Sequence, residues 1–415
     1  MKRMAVLVFY LLFCMLVTAC SFSQLQPKVK VGAEVLLENH ITELEGKRVG
    51  LVMNPTARVA GSHMLDTLLA SGVNVTALFA PEHGFRGDVG AGEKIEDGID
   101  QATGLPVFSL YGDTKKPTPD MLEKVDLLLF DMQDVGGRFY TYNVTLGNII
   151  SATASEDVPI WVLDRPNPAG GELISGWMMQ KDHQSFVGRY PIPMVHGMTL
   201  GELAKMMVGE QWIPNADDAE VKVIPMKGWE RSMRWSQTGL DWISPSPNLP
   251  TFDHAFVYLG TVLFEGVNIS EGRGTSDPFL KIGSPTTQLN SGHIAQLRRS
   301  FSGVNIERIS FTPKAIPGKS RNPDFKDERC HGIRIQVTDP TAFDPVKLGV
   351  TLLSVMLDAT PDAELNDFIQ KLSGIDKKKL LRQLSKNTYL ENWEKTGKEF
   401  SEKRSRYLLY NESSM

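Results

Sequence analysis

The strongest constraint on the fold of this chain is a succession of short, continuously apolar runs, each ending in polar residues and followed by an amphipathic or irregular stretch. Residues 48–53, 73–79, 105–110, 125–130, 158–163 and 220–225 read as strands, with helices over 64–69 (Ser62 as its N-cap) and 199–208. Strands without polar alternation are covered on both faces, as in parallel sheets whose crossovers are helical. The pattern predicts an α/β fold: a Rossmann-like parallel sheet in residues 34–250, then a smaller α+β C-terminal domain over 251–415.

In open α/β sheets, ligands bind beyond the carboxyl ends of the strands. Those ends deliver Asn54, Glu82, His83, Tyr111, Asp131, Gln133, Asp164, Arg165 and Asn167. Asp and Asn after a strand also cap turns and helices, and Asn54 and Asn167 are open to that reading. Glu82, His83 and Gln133 are not favoured turn formers, so the set as a whole points to a site. No nucleotide fingerprint accompanies it: Gly90-Ala91-Gly92 lacks the third glycine and does not join a strand to its helix. No cofactor is expected. Walker, Gly-x-Ser-x-Gly and His-Glu-x-x-His motifs are absent too.

The amino terminus reads as an address. Lys2 and Arg3 precede an apolar run over 4–17, too short to span a bilayer, then Val17-Thr18-Ala19-Cys20. This predicts a lipoprotein signal over 1–19 and a lipidated Cys20 opening a polar tether over 20–33. The expected location is the cell envelope, membrane-bound through that lipid; Ser21 is compatible with outer-membrane sorting in a Gram-negative cell. A plain cleaved signal with an incidental cysteine is the alternative. Of three cysteines only Cys330 then remains in the folded body, so no internal disulfide is available and stability rests on burial. A net charge of −5 offers no electrostatic case for nucleic acid.

Past a Pro-rich stretch at 244–250, an apolar run over 255–264 leads into Glu265-Gly266-Val267-Asn268 and Glu271-Gly272-Arg273-Gly274-Thr275. Alternating glycines there let backbone approach a ligand, or form a turn carrying an ion pair. Residues 308–312 and 332–337 read as strands and 346–357 as a helix, while the charged tail over 377–410 reads as a solvated packing face.

Seven ordered motifs resemble one family. They are NPT at 54–56, FAPEHGFRG at 79–87, DMQDVGGRFYTY at 131–142, LDRPNP at 163–168, PIPMVHGMT at 191–199, PSPN at 245–248 and EGVNISEGRGT at 265–275. Together they are similar to the exo-β-N-acetylmuramidases, long catalogued as a domain of unknown function. The resemblance implies a Rossmann-like domain with an auxiliary C-terminal domain and the active-site cleft between them. It also implies removal of terminal N-acetylmuramic acid from the non-reducing ends of peptidoglycan fragments.

Glycoside cleavage usually needs an acid for the leaving oxygen and a second group for the anomeric carbon. Glu82 is the first choice of acid, with Phe79 or Phe85 desolvating it; Glu265, Glu271, Asp131, Asp164 or the substrate's own acetamido oxygen are choices for the second group. Muramic acid carries a lactyl carboxylate, which suits an arginine: Arg273 first, then Arg165 and Arg138. Tyr140, Tyr142, Asn143, Gln133 and Asn248 are expected to contact the sugar, although the two tyrosines serve equally well as core aromatics. Asn54, His83, His196 and Thr275 complete the expected binding set. Two other readings stay open: a non-catalytic wall-sugar-binding lipoprotein, and a metal-dependent hydrolase using His83, Asp131, Asp134 and Asp164.

Overall fold

The structure, a computed structural model, describes residues 28–86 and 96–410. The signal, Cys20 and residues 90–92 lie outside the described residues. The N-terminal part lays down β1 (Val49–Met53), the small hairpin β2 (Arg58–Val59) and β3 (Ser62–His63), β4 (Val75–Ala80), β5 (Gly98–Ile99), β6 (Pro106–Ser109), β7 (Leu127–Asp131), β8 (Ile160–Leu163) and β9 (Val221–Ile224). Seven of these form one sheet in the order β5-β6-β4-β1-β7-β8-β9, parallel throughout except for β5 against β6. The chain builds outward from β1 through β4 to β6, then returns to the other flank of β1 to add β7, β8 and β9. This is the doubly wound order, with its reversal between β1 and β7.

Helices cover both faces, as the unbroken apolar strands require. The helices of this part are α1 (Gly32–Asn39), α2 (Met64–Ala70), α3 (Pro119–Leu122), α4 (Tyr142–Ser155) and α5 (Leu200–Gly209). Leu51, Leu78, Leu127, Leu129 and Leu163 pack with Leu36 of α1 and Leu65 and Leu68 of α2. Their neighbours Val52, Phe79, Leu128, Phe130 and Val162 point the other way, into a core shared with α4 and α5. The expected Ser62 cap is not made. Ser62 pairs in β3, and His63, buried against Phe85, accepts from the Leu65 amide instead.

The C-terminal part contains α6 (Phe252–Thr261), β10 (Lys281–Ser284), α7 (Ser291–Ser300), β11 (Val304–Phe311), β12 (Cys330–Val337) and α8 (Pro345–Ala359), then α9 (Phe368–Ser373), α10 (Lys377–Lys386) and α11 (Tyr389–Arg404). Its three strands form an antiparallel sheet in the order β10-β12-β11. Helices α6 and α8 cross at bare backbone: a Cβ on Gly260 would stand 1.9 Å from the Pro345 carbonyl oxygen, so only glycine permits this approach.

One apolar core runs through both parts. The charged tail, expected as a solvated packing face, packs by its apolar residues. Leu380, Leu384, Tyr389, Trp393 and Phe400 join that core, and the Tyr410 hydroxyl donates to Asp164 at the end of β8 (2.6 Å). Cys330 is a free, buried thiol.

Candidate active site

A cavity of about 630 Å³ opens where the carboxyl ends of β4, β6 and β7 meet the C-terminal part. Glu82 and His83 enter it after β4, Tyr111 after β6, and Tyr140 and Thr141 from the loop between β7 and α4. The C-terminal part contributes Tyr258 of α6, then Glu265, Glu271, Arg273 and Phe279, and the segment 319–324 from the loop joining β11 to β12.

A tight turn explains why adjacent residues Glu82 and His83 both face this space. The Gly84 amide donates to the Pro81 carbonyl (3.0 Å), and His83 and Gly84 both take positive φ, 74° and 80°. A left-handed non-glycine residue costs roughly 1–2 kcal/mol. Such local strain recurs where side-chain placement matters. The turn sets Glu82 against Thr141, whose hydroxyl donates to Oε2 at 2.7 Å, and Tyr111 lines the same side of the cavity. Burial, and then the charge of Glu82, raise the Tyr111 hydroxyl above its ordinary value, which keeps it a donor. The expected apolar setting differs: Phe79 packs on Phe108 and Phe85 on His63, while the Thr141 hydroxyl meets the carboxylate.

Across the cavity, Arg273 is shared by two acids. Its Nη2 lies 2.5 Å from Glu265 Oε1 and its Nε 2.8 Å from Glu271 Oε1, with the guanidinium 4.9 Å from the Phe279 ring centre. Glycine is required on both sides of it. A Cβ on Gly272 would sit 2.6 Å from the Lys281 carbonyl oxygen, and one on Gly274 2.5 Å from that of Lys314. Burial works against the charge of Arg273, but the two carboxylates outweigh it and hold the group firmly protonated. Glu271 is only 4% exposed, and burial drives its carboxyl up to about 7. Arg273 pulls that value down and the charge of Glu265 pushes it up.

Aromatic rings form a continuous wall between these groups. Tyr258 packs edge-on to Phe139 (5.3 Å) and Phe279 (4.7 Å), and Tyr140 stands 6.3 Å from Tyr258. Tyr111 and Phe186 face each other at 6.0 Å on the side of β6. Sugars stack their C–H faces on such surfaces, while hydroxyl and carboxyl groups fix their orientation.

Many residues expected to touch substrate are instead internal struts. Asn54 Nδ2 donates to the Tyr142 hydroxyl (2.7 Å), which donates to the Pro245 carbonyl (3.0 Å). Asp131 is fully buried in a bidentate pair with Arg165. Gln133 Nε2 donates to the carbonyls of Asp134 and Pro166. Arg138, fully buried, donates to the carbonyls of Trp177, Ile192 and Leu372 and so ties the two parts together. Asn143 Nδ2 ties the carbonyls of Arg138 and Tyr140 (2.9 and 2.7 Å), shaping the turn that presents Thr141. Asp164 accepts from Thr199, Gly201 and Tyr410; His196 Nδ1 accepts from the Met198 amide; the Thr275 hydroxyl donates to the Gly272 carbonyl. Asn248 donates to the Lys319 carbonyl (3.0 Å) rather than lining the cavity.

For Asn54, Asp131, Gln133 and Arg165 the physical reason is common. The crevice between β1 and β7, where doubly wound folds usually hold ligand, is packed with this protein's own side chains, and buried polar groups must find partners. Only a space of about 80 Å³ remains beside Gln133 and Arg165. Nor are the four groups of the metal reading gathered: Asp131 faces Arg165, Asp164 faces hydroxyls, and among the described residues no three potential ligands have metal-binding geometry.

The family model for the N-terminal domain of the exo-β-N-acetylmuramidase NamZ matches residues 49–253, and the model for its C-terminal domain matches residues 256–410. The chain belongs to this family. It is 41% identical to the peptidoglycan β-N-acetylmuramidase NamZ of Bacillus subtilis (strain 168) over 93% of this chain and 92% of the relative. Two crystal structures of DUF1343 family proteins from Bacteroides fragilis share its fold. One superposes with TM-score 0.80 at 33% identity, covering 92% of this chain and 99% of the other. The second gives 0.77 at 35% identity, covering 93% and 99%.

Of the residues expected in the site, Glu82, His83, Tyr111, Tyr140, Glu265, Glu271 and Arg273 line the cavity. Sequence reasoning left out Thr141 and Tyr258, together with segment 319–324. Thr141 lay inside a quoted motif and Tyr258 inside an apolar run, so neither carried a signal of its own. The loop did carry one: residues 312–329 form a long connection between antiparallel strands, and such loops are usually functional or disordered.

Proposed function

We infer that this protein is an exo-acting glycoside hydrolase that releases N-acetylmuramic acid from the non-reducing ends of peptidoglycan fragments. The observation that carries the reading is a pair of carboxyl groups in contrasting environments around one aromatic-walled cavity. Glu82 accepts from the Thr141 hydroxyl, whereas Glu271 is buried with its carboxyl raised to about 7. Groups whose surroundings divide them in this way suit acid and base roles.

In the mechanism proposed here, Glu271 carries the proton that the leaving sugar oxygen needs near neutral pH. Arg273 and Glu265 set its proton affinity from the same cluster. Glu82, accepting from Thr141, is the second carboxyl group: it orients water or steadies charge at the anomeric carbon. This reverses the role assigned to Glu82 from sequence, because Phe79 and Phe85 pack elsewhere and the Thr141 hydroxyl meets the carboxylate. Tyr140, Tyr258 and Phe279 supply the surface against which the ring lies.

The deciding experiment is release of free N-acetylmuramic acid from a muramic acid–glucosamine disaccharide by the wild type, Glu82→Gln and Glu271→Gln. Release by the wild type, falling at least about a hundredfold in each variant, is the expected result. No release from this or longer muramic-acid-ended fragments by a folded protein would favour a wall-sugar-binding role instead. An aryl glycoside whose phenol leaves without protonation separates the two roles: Glu271→Gln retains activity on it and Glu82→Gln does not.

The amino-terminal sequence supports a lipid anchor at Cys20 and residence in the cell envelope, where peptidoglycan fragments arise.

A further inference from the structure

The cavity poses an electrostatic problem for an acidic sugar. Glu82, Glu265, Glu271 and Asp324 line it, and Arg273, the cation between Glu265 and Glu271, is already engaged by both. A carboxylate placed beside Arg273 would meet two acids as well as one base. The arginine first expected to read the lactyl group is therefore committed to the carboxyl cluster, and recognition calls for a cation elsewhere on the cavity wall.

We propose that Lys319, presented by the loop between β11 and β12, pairs with the carboxylate of the acidic sugar. This deepens the hydrolase reading and rests on it for the identity of the sugar. Lys319 lines the cavity, and among the described residues its ammonium has no ion-pair partner.

Its backbone is held at several points. The Lys319 and Ser320 amides donate to the Ile316 carbonyl (3.1 and 2.9 Å), and the Ile316 amide returns a bond to the Ser320 carbonyl (2.8 Å). Asn248 Nδ2 binds the Lys319 carbonyl from the N-terminal part (3.0 Å). At the base of the loop, the Lys314 amide donates to the Gly274 carbonyl (2.8 Å), joining it to the glycine turn that carries Arg273. A Lys314–Asp327 ion pair at 2.8 Å closes its stem.

A flexible, hydrated lysine on a fixed backbone suits a carboxylate that arrives with substrate. Its point charge accepts a range of lactyl rotamers, and its free state leaves no buried charge unpaired. Asn248, expected from sequence to bind sugar directly, instead holds the loop backbone at the Lys319 carbonyl.

The experiment is calorimetric titration of the purified protein with N-acetylmuramic acid and with its methyl ester, which removes only the negative charge. Wild-type protein is expected to favour the acid. Lys319→Met should bring the acid-to-ester affinity ratio about tenfold closer to one, within the range of a charge-assisted hydrogen bond, while Lys319→Arg should preserve the preference. An unchanged ratio in Lys319→Met overturns the proposal, as does a ratio that collapses in Arg321→Met instead. Because binding is read without turnover, the outcomes separate. Acid preference lost with Lys319 in a protein that hydrolyses nothing sustains this inference and sinks the hydrolase reading. Hydrolysis by a wild type indifferent to the ester does the reverse.

Discussion

Replacing Glu271 by Gln should damage activity and improve stability at high pH, a combination that few other mechanisms produce. The folded protein holds the Glu271 carboxyl at about 7, against an ordinary glutamic acid value of 4.5 that applies once the chain unfolds. Below pH 4 the group is protonated in both states and contributes no pH dependence. Between those two values the folded state binds a proton that the unfolded state has lost, so stability falls as pH rises and levels off above about 7. At about 1.4 kcal/mol per pH unit, the gap amounts to about 3 kcal/mol. Gln cannot ionise, so the variant escapes that loss. Relative to wild type it should gain up to about 3 kcal/mol in going from pH 4 to pH 9, less a fraction for the partner that Arg273 loses. Urea unfolding at the two pH values, with tryptophan fluorescence as readout, measures this directly. Hydrolysis of the disaccharide by the same protein should fall at least about a hundredfold. A stability difference from wild type that is the same at pH 4 and pH 9 would refute the argument, because Glu271 would then titrate alike in folded and unfolded chains.

Other perturbations test the remaining structure. Thr141→Val removes the hydroxyl that orients Glu82 at 2.7 Å and should lower kcat/KM about tenfold with little change in stability, checked by steady-state kinetics beside a thermal melt. Tyr142→Phe leaves Asn54 Nδ2 and the Pro245 carbonyl without their buried partner and should cost about 1–3 kcal/mol in denaturant unfolding. Arg138→Met strips three carbonyls of their donor where the two parts meet; loss of folded protein, or a drop of several kcal/mol, is the expected outcome in expression and melting assays. Cys20→Ser should move the protein from the membrane pellet to the soluble fraction and abolish incorporation of labelled fatty acid.

The sequence by itself determined the doubly wound sheet. Runs such as 48–53 and 125–130 admit few alternatives to strands covered on both faces, and the placing of Glu82 at a strand end followed from that order. It also identified the glycine-flanked Arg273 and its two acidic neighbours, since local spacing brings them within reach of one another. Burial and partnership were decided only in three dimensions. Asp131, Asp164, Gln133 and Arg138 have the side chains of an active site, yet each is consumed by a partner 30 or more residues away, which no local pattern encodes. Equally, Tyr258 acquires its place beside the acids because α6 packs its other faces into the core shared by both parts. Lys319 acquires its place because Asn248, from the preceding part, binds its carbonyl. A polar residue at a strand end becomes a site or a strut according to whether the long-range fold leaves space beside it or fills that space with a partner.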